Sequence, residues 1–255
     1  MRPNRLKHLW QENRTAINAW LTIPSAWTAE VIAHTGYDSL TLDLQHGLAD
    51  YATALAMLQA ISTTDVVPLA RAPWNEPAII MRLLDAGAYG LICPMINTRA
   101  EAEAFVGACR YAPVGYRSYG PTRAVLYAGE DYAAHANAEV LTLAMIETAQ
   151  ALKNVDDIAA TPGLDGVYIG PADLSLSLGL PKLADFTNPN LLRALDTILE
   201  ATAKHNLIPG IHAGTPENAI MLDDRGFRLV TPATDTALLR AGAEAALTQT
   251  RRGVK

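Results

Sequence analysis

The sequence predicts a (β/α)8 TIM barrel that uses the whole chain, residues 1–255, as a single domain. Three observations lead there. Eight short apolar runs alternate with eight helix-like stretches, and strands alternating with helices imply a parallel sheet. The length of 255 residues suits one such barrel. The runner-up, an open doubly wound sheet, lacks its Gly-rich phosphate fingerprint after the first strand.

In chain order, strands are expected at Ile17–Leu21, Leu40–Leu44, Val66–Arg71, Gly90–Cys93, Leu141–Ile146, Gly166–Ile169, Ile208–His212 and Leu229–Thr231. In the second, Leu40, Leu42 and Leu44 alternate with Thr41, Asp43 and Gln45, the period of a strand. The stretches between include "DYATALAMLQAIS", "EPAIIMRLLDAG", "ALKNVDDIAAT" and "NPNLLRALDTILEATAKHN". Several begin at Asp, Thr or Asn, or carry Pro in the first turn, as helices do. Gly36, Gly87 and Gly226 fall where helices should stop. Tyr111–Val140 breaks the rhythm as a long insertion between the fourth helix and the fifth strand. A connection this long is functional or an oligomer contact. It leaves a helix C-terminus on the bottom face, so it meets a top-face site only by reaching over the barrel or from a neighbouring subunit.

Net charge is -6 and no Lys/Arg run occurs, which argues against nucleic acid and anionic membranes as partners. No apolar stretch is long enough to span a bilayer, and "MRPNRLKHLWQENR" is too polar for a signal peptide. Cys93 and Cys109 form no CxxC and read as buried thiols in a reducing compartment. These features point to the cytoplasm.

Active sites of such barrels lie at the C-terminal ends of the strands. The residues there are Asp43, Gln45 and His46 after the second strand, Arg71 after the third and Glu147 after the fifth. Asp173 follows the sixth, and His212 and Thr231 end the seventh and eighth. Each has a plain structural reading. His46 can be a loop histidine, Arg71 a salt-bridge partner, Glu147-Thr148 a helix cap, Asp173 a first-turn residue after Pro171, and Asp85 a helix-end carboxylate. Their joint placement carries the signal. Two carboxylates on adjacent strands can hold one hard divalent cation and leave open positions for a 2-oxo acid. The cation then acts as a Lewis acid on the ketone. The "IGPAD" turn, with Gly170, Pro171, Ala172 and Asp173, opens a helix whose N–H groups can hold a carboxylate. Arg71 can stabilise an oxyanion, and His46 has the intrinsic pKa to move a proton at neutral pH. Lys153, Lys182 and Lys204 lie away from the strand ends, against a Schiff base.

"TLDLQHG", "LARAPW", "LDAGAYGLICPMINTRAEAE", "MIET" and "DGVYIGPADLSLSLG" together resemble the metal-dependent (class II) pyruvate aldolases of the 4-hydroxy-2-oxo-heptanedioate and 2-keto-3-deoxy-rhamnonate type, over about Asn18–Thr236. The resemblance implies a barrel of the phosphoenolpyruvate/pyruvate kind, with the last helix exchanged between subunits of a homo-oligomer, usually a hexamer. It implies an aldehyde-lyase joining pyruvate or hydroxypyruvate to an aldehyde, with Mg, Mn or Co as the divalent metal ion. By motif, His46 is implied as the general base, Arg71 as the oxyanion stabiliser and Asp85 as the residue that raises the histidine's basicity. Glu147 and Asp173 are implied as metal ligands, Ala172 and Asp173 as backbone contacts to the 2-oxo acid, and Trp20 as an aromatic near the site.

Two departures stand out. Gln45 replaces a common Glu beside the base. Met145 replaces a Gln two residues before Glu147 and cannot hydrogen-bond a substrate oxygen in the same way. Ile211 and His212 are expected to shape the aldehyde end. Two rival functions remain on the same scaffold: an acyl-CoA lyase, for which only scattered arginines such as Arg117 and Arg123 could meet the CoA phosphates, and a non-catalytic barrel that binds a 2-oxo acid.

Overall fold

The computed structural model describes residues 1–254. Eight parallel strands close in sequence order into a barrel. They are β1 (Ala16–Leu21), β2 (Ser39–Asp43), β3 (Val67–Arg71), β4 (Gly90–Cys93), β5 (Leu141–Ile146), β6 (Gly166–Ile169), β7 (Ile208–His212) and β8 (Leu229–Thr234). The sequence expectation holds for all eight, with small shifts at strand ends. β2 stops at Asp43 rather than Leu44, and β8 runs on to Thr234.

Every residue of β2, β3, β4, β5 and β6 is buried. The leucine alternation in β2 therefore separates two buried faces, not core from solvent. Leu40 and Leu42 are wholly buried beside their alternating partners, and Thr41 turns into the barrel, where its hydroxyl donates to Asn18 Oδ1 at 3.0 Å. Glycine makes room where the interior is tight. A Cβ on Gly166 would lie 2.3 Å from Ile208 O, and one on Gly210 would lie 2.8 Å from the Tyr168 ring.

An N-terminal helix, α1 (Arg5–Gln11), capped by the Asn4 side chain, packs beneath the barrel; the sequence reading had not assigned it. Around the strands run α2 (Ala26–Ala33), α3 (Tyr51–Ile61), α4 (Pro77–Asp85) and α5 (Arg99–Cys109). The insertion folds as α6 (Ala124–Ala128) and α7 (Tyr132–Glu139). The stretch read as one helix over 151–161 is broken at Asn154 into α8 (Ala149–Lys153) and α9 (Val155–Ala159). Then come α10 (Pro171–Ser177), α11 (Pro189–Lys204), α12 (Pro216–Arg225) and α13 (Asp235–Gly253). No helix among the described residues is long and apolar enough to cross a membrane.

Within the chain the insertion stays at the base and does not reach over the barrel. Arg117 meets Asp85 at 2.7 Å and the Tyr132 hydroxyl at 2.9 Å. Arg123 donates to Ala86 O, Leu58 O and Ser62 Oγ at the lower ends of α4 and α3.

The last helix behaves differently from the rest. Asp235 fixes its start, accepting N–H bonds from Thr22 and Ile23, each 2.9 Å, in the β1–α2 loop. From Thr236 onward its residues are exposed, including Leu239 and Leu247. Beside it lies a groove of about 1160 Å³, lined among others by Ile17, Tyr37, Ala219, Ile220 and Val230. Leu238 at the start of this helix forms part of the groove wall, together with charged residues such as Arg14, Asp223 and Arg228.

Candidate active site

The register of the sheet builds the site. In the β2–β3 pairing, Asp43 lies opposite Arg71. Both point inward at the C-terminal rim, and both are buried. Arg71 Nε donates to Asp43 Oδ1 at 2.9 Å and Nη2 to Oδ2 at 2.6 Å, a two-pronged pair. Oδ1 also takes the backbone N–H groups of Gln45 and His46, at 3.0 and 3.2 Å, and Oδ2 takes the Trp20 indole N–H at 3.1 Å. Burial alone would push the Asp43 carboxyl up. The hydrogen bonds and charge of Arg71 outweigh it, and the group sits below the usual carboxylate range. Asp43 is thus ionised and saturated. It holds the guanidinium on one side and the start of the His46 loop on the other.

Arg71 keeps donors in reserve. Nη1 has no protein partner among the described residues, although the whole residue is only 7 % exposed. His46 is exposed on the β2–α3 loop, and Gly47 turns the chain tightly there, since a Cβ would fall 2.1 Å from Asp43 O. The Gln45 side-chain oxygen is buried and unpaired.

Across the mouth, Glu147 follows β5 and is 2 % exposed. Its Oε1 accepts the Met95 N–H at 2.7 Å. Burial pushes its carboxyl up, and the charge of Asp173 pushes the same way. The helix-cap reading belongs to Thr148, whose hydroxyl accepts from Ala151 N–H, so Glu147 is left for the site. Asp173 lies in the exposed first turn of α10, after Pro171. Gly170 leaves room for the ends of two site side chains, because a Cβ there would meet Glu147 Oε2 at 2.6 Å and Met145 Cε at 3.1 Å and displace them. Ala172 is exposed in the same turn, with the free N–H groups of a helix start. Among the described residues no group of three or more His, Cys, Asp or Glu gathers. The Glu147–Asp173 pair still fits a hard cation: two carboxylates that repel each other, one of them desolvated, gain from a shared positive charge.

Trp20 connects the parts. Its ring stacks on Tyr168 at 5.4 Å, stands perpendicular to His212 at 5.4 Å, and lies 4.9 Å from the Arg71 guanidinium carbon. Burial and Arg71 push the His212 imidazole down to about 4, so it is neutral at neutral pH. Ile211 is buried beside it.

Asp85 is the exception. It ends α4 at the base of the barrel, bound to Arg117, because helices run antiparallel to the strands and their C-termini lie opposite the rim. Within one chain it meets Arg117 and does not join His46. Two residues escaped the sequence reading. Met95 adopts a left-handed backbone, φ 56°, that aims its N–H at Glu147, and nothing in "CPMIN" signals this. Tyr168 looked like an ordinary member of an apolar run.

A barrel whose rim carries a buried Arg–Asp pair, a loop histidine and a facing carboxylate pair defines a lyase of the aldolase class. The comparisons agree. Residues 17–241 match the model of the HpcH/HpaI aldolase/citrate lyase family, and the chain belongs to that family. It is 41% identical over 248 residues to a hydroxypyruvate/pyruvate aldolase of Rhizorhabdus wittichii, covering 97% of this chain and 99% of the relative. It is 33% identical over 244 residues to a 5-keto-4-deoxy-D-glucarate aldolase of Escherichia coli, covering 95% and 94%. A solved structure of an HpcH/HpaI family protein from Burkholderia cenocepacia superposes with TM-score 0.90 at 34% identity, over 97% and 99% of the two chains.

Proposed function

We propose that this aldolase forms and cleaves 4-hydroxy-2-oxo acids, with pyruvate or hydroxypyruvate as the 2-oxo-acid half and a divalent metal ion (Mg, Mn or Co) as cofactor. The observation that carries the reading is the pairing across one mouth of an Asp43-clamped guanidinium and the Glu147–Asp173 carboxylates. The identity to the Rhizorhabdus relative supports the choice of 2-oxo acids.

Glu147 and Asp173 would hold the metal. When bound, it supplies Lewis acidity to the 2-oxo acid. The N–H groups of Ala172 and Asp173 bind the substrate carboxylate at the start of α10. In cleavage, His46 accepts the proton of the C4 hydroxyl. The C4 oxygen forms the aldehyde carbonyl as the C3–C4 pair moves into the pyruvate enolate. The free N–H groups of Arg71 stabilise the oxyanion, and Asp43 keeps them aimed. A proton returned to C3 completes pyruvate, and synthesis reverses the order. His212 and Ile211 line the aldehyde side; a neutral imidazole can both donate and accept a hydrogen bond, which suits a hydroxylated aldehyde.

The exposed α13 and the groove beside it support a homo-oligomer in which this helix packs on a second copy, and the hexamer of the resemblance is the proposed state. Asp85, at the base, reaches a His46 only on another copy. The CoA-lyase alternative loses its best candidates, since Arg117 and Arg123 are both engaged inside the fold. A cytoplasmic enzyme suits the two buried free cysteines, whose thiols burial pushes up, Cys109 to about 12. The test is cleavage of a 4-hydroxy-2-oxo acid, followed by pyruvate release, with and without chelator. Release independent of added metal would refute the reading.

A further inference from the structure

The barrel interior below the site is polar, and its hydrogen bonds form a single chain. Asn18, Ser39, Thr41, Tyr168 and Thr231 are all fully buried. Asn18 Oδ1 accepts the hydroxyls of Ser39 at 2.9 Å and Thr41 at 3.0 Å. Two donors on one amide oxygen fix which way the amide faces, so Nδ2 must point to Thr231 Oγ1, 2.9 Å away. Thr231 Oγ1 in turn lies 2.7 Å from the Tyr168 hydroxyl. That bond ties down the polar end of Tyr168, and its ring has Gly210 beside it, where a Cβ would fall 2.8 Å from the ring.

That ring is the surface on which Trp20 stacks, and Trp20 donates to Asp43 Oδ2, the same oxygen that takes Arg71 Nη2. A buried polar network costs stability unless it is fully satisfied, and apolar side chains would fill this interior more simply. Its order is transmitted upward to one atom of the Arg71 clamp.

We infer that Trp20 is a positioning residue for Arg71, anchored from below by the Tyr168–Thr231–Asn18 chain. It rests on the functional reading above. It adds that the direction of the guanidinium is set by the barrel interior as well as by Asp43. The indole N–H takes an Oδ2 lone pair that Arg71 does not use and so holds the outer carboxylate oxygen, as the backbone N–H groups of Gln45 and His46 hold Oδ1.

The test uses chemical rescue, read as metal-dependent exchange of the pyruvate methyl protons in D2O with Mn or Mg. Arg71→Ala loses exchange, and free guanidinium chloride below denaturing concentrations restores it in a saturable way by occupying the vacated seat. In the double variant with Trp20→Phe, which keeps a ring but removes the N–H, the half-saturating guanidinium concentration rises about tenfold, the size of one hydrogen bond to a charged group. Trp20→Phe alone lowers kcat for exchange at unchanged KM for pyruvate. Equal half-saturation in both backgrounds, or a wild-type kcat in Trp20→Phe, overturns the inference. If guanidinium restores neither background, the kcat and KM of Trp20→Phe decide by the same rule. Should Trp20→Phe fail to fold, Tyr168→Phe replaces it. Loss of that hydroxyl frees the supporting ring and lowers kcat in the same direction, and a wild-type kcat there removes the anchor. Absence of exchange in the wild-type enzyme would instead refute the functional reading, and wild-type exchange in Arg71→Ala would refute the role of Arg71.

Discussion

Arg110 at the base and Arg71 at the rim are both buried, and they differ in what they hold. At the base, Arg110 turns both terminal nitrogens to its own chain. It donates to Val140 O at 2.6 Å, to Gly163 O at 2.8 Å, to Thr142 Oγ1 at 3.2 Å and to Asp165 at 2.6 Å. At the rim, Arg71 is held by Asp43 through two of its nitrogens and leaves the third unpaired. The Nη1 of Arg71 is not fully buried, so it stays open to a group bound at the mouth. The contrast marks the base as the end that stabilises and the rim as the end that reacts, the division expected of this architecture.

Exchanging the perturbations tests that contrast. The largest effect is expected for Arg110→Ala, which strands Asp165 and Thr142 beneath the barrel. It should cost roughly 3–5 kcal/mol of stability, the range for breaking a buried pair, while activity per folded molecule stays near wild type. Denaturant titration together with turnover would show this, and an activity loss at full stability would erase the distinction. Arg71→Ala should do the reverse at the level of rate. Turnover should fall by ~10²–10³, as for the loss of one oxyanion donor, with Glu147 and Asp173 still able to bind metal. Steady-state kinetics and metal titration report on the two halves separately.

The carboxylate pair gives a smaller effect that depends on pH. Burial and Asp173 raise the Glu147 pKa in the folded state. A raised carboxyl pKa stabilises the fold below the unfolded value and costs stability as pH rises through the folded value. Bound metal removes that cost, so the metal-induced rise in Tm should be larger at pH 7.5 than at pH 5. Glu147→Gln should abolish the rise without lowering the Tm of the metal-free protein. At about 2–4 °C per kcal/mol for a domain of this size, differential scanning can resolve both. A rise that is equal at both pH values would remove Glu147 from the metal site. The smallest effect on the stability of the single chain should come from Leu239→Glu on the exposed helix. It should shift the protein toward smaller species in sedimentation, whereas an unchanged sedimentation coefficient would argue against helix exchange.

Most of the barrel was legible because its strands announce themselves by two independent signals. The apolar runs mark both buried faces, and the Asp, Thr or Pro starts of the helices mark the tops of the loops. The rim residues were legible only together: each has a plain structural use, but jointly they fall at the C-terminal ends of the strands, where such barrels place their sites. What stayed hidden depends on register and on backbone shape. That Asp43 faces Arg71 follows from the β2–β3 pairing, which no local pattern states. The Met95 N–H on Glu147 needs a left-handed turn at a residue that seldom adopts one. Tyr168 hid inside "GVYIG", where an aromatic is ordinary. A polar Asn18 in the middle of "AINAWL" was the one available hint that the interior held a network. The place of Asp85 was hidden because motif order says which residues occur together, while helix direction decides at which end of the barrel they lie.

The measurement that bears most directly on the central claim follows the pyruvate methyl signal by proton NMR in D2O, with a low level of Mn or Mg, before and after chelation, quenching with chelator before each reading. The account predicts that the methyl signal fades only while metal is present, because Glu147, Asp173, Arg71 and His46 together make the enolate. A methyl signal that persists with every metal, in protein shown to bind pyruvate, would contradict it and leave a barrel that binds a 2-oxo acid without reacting.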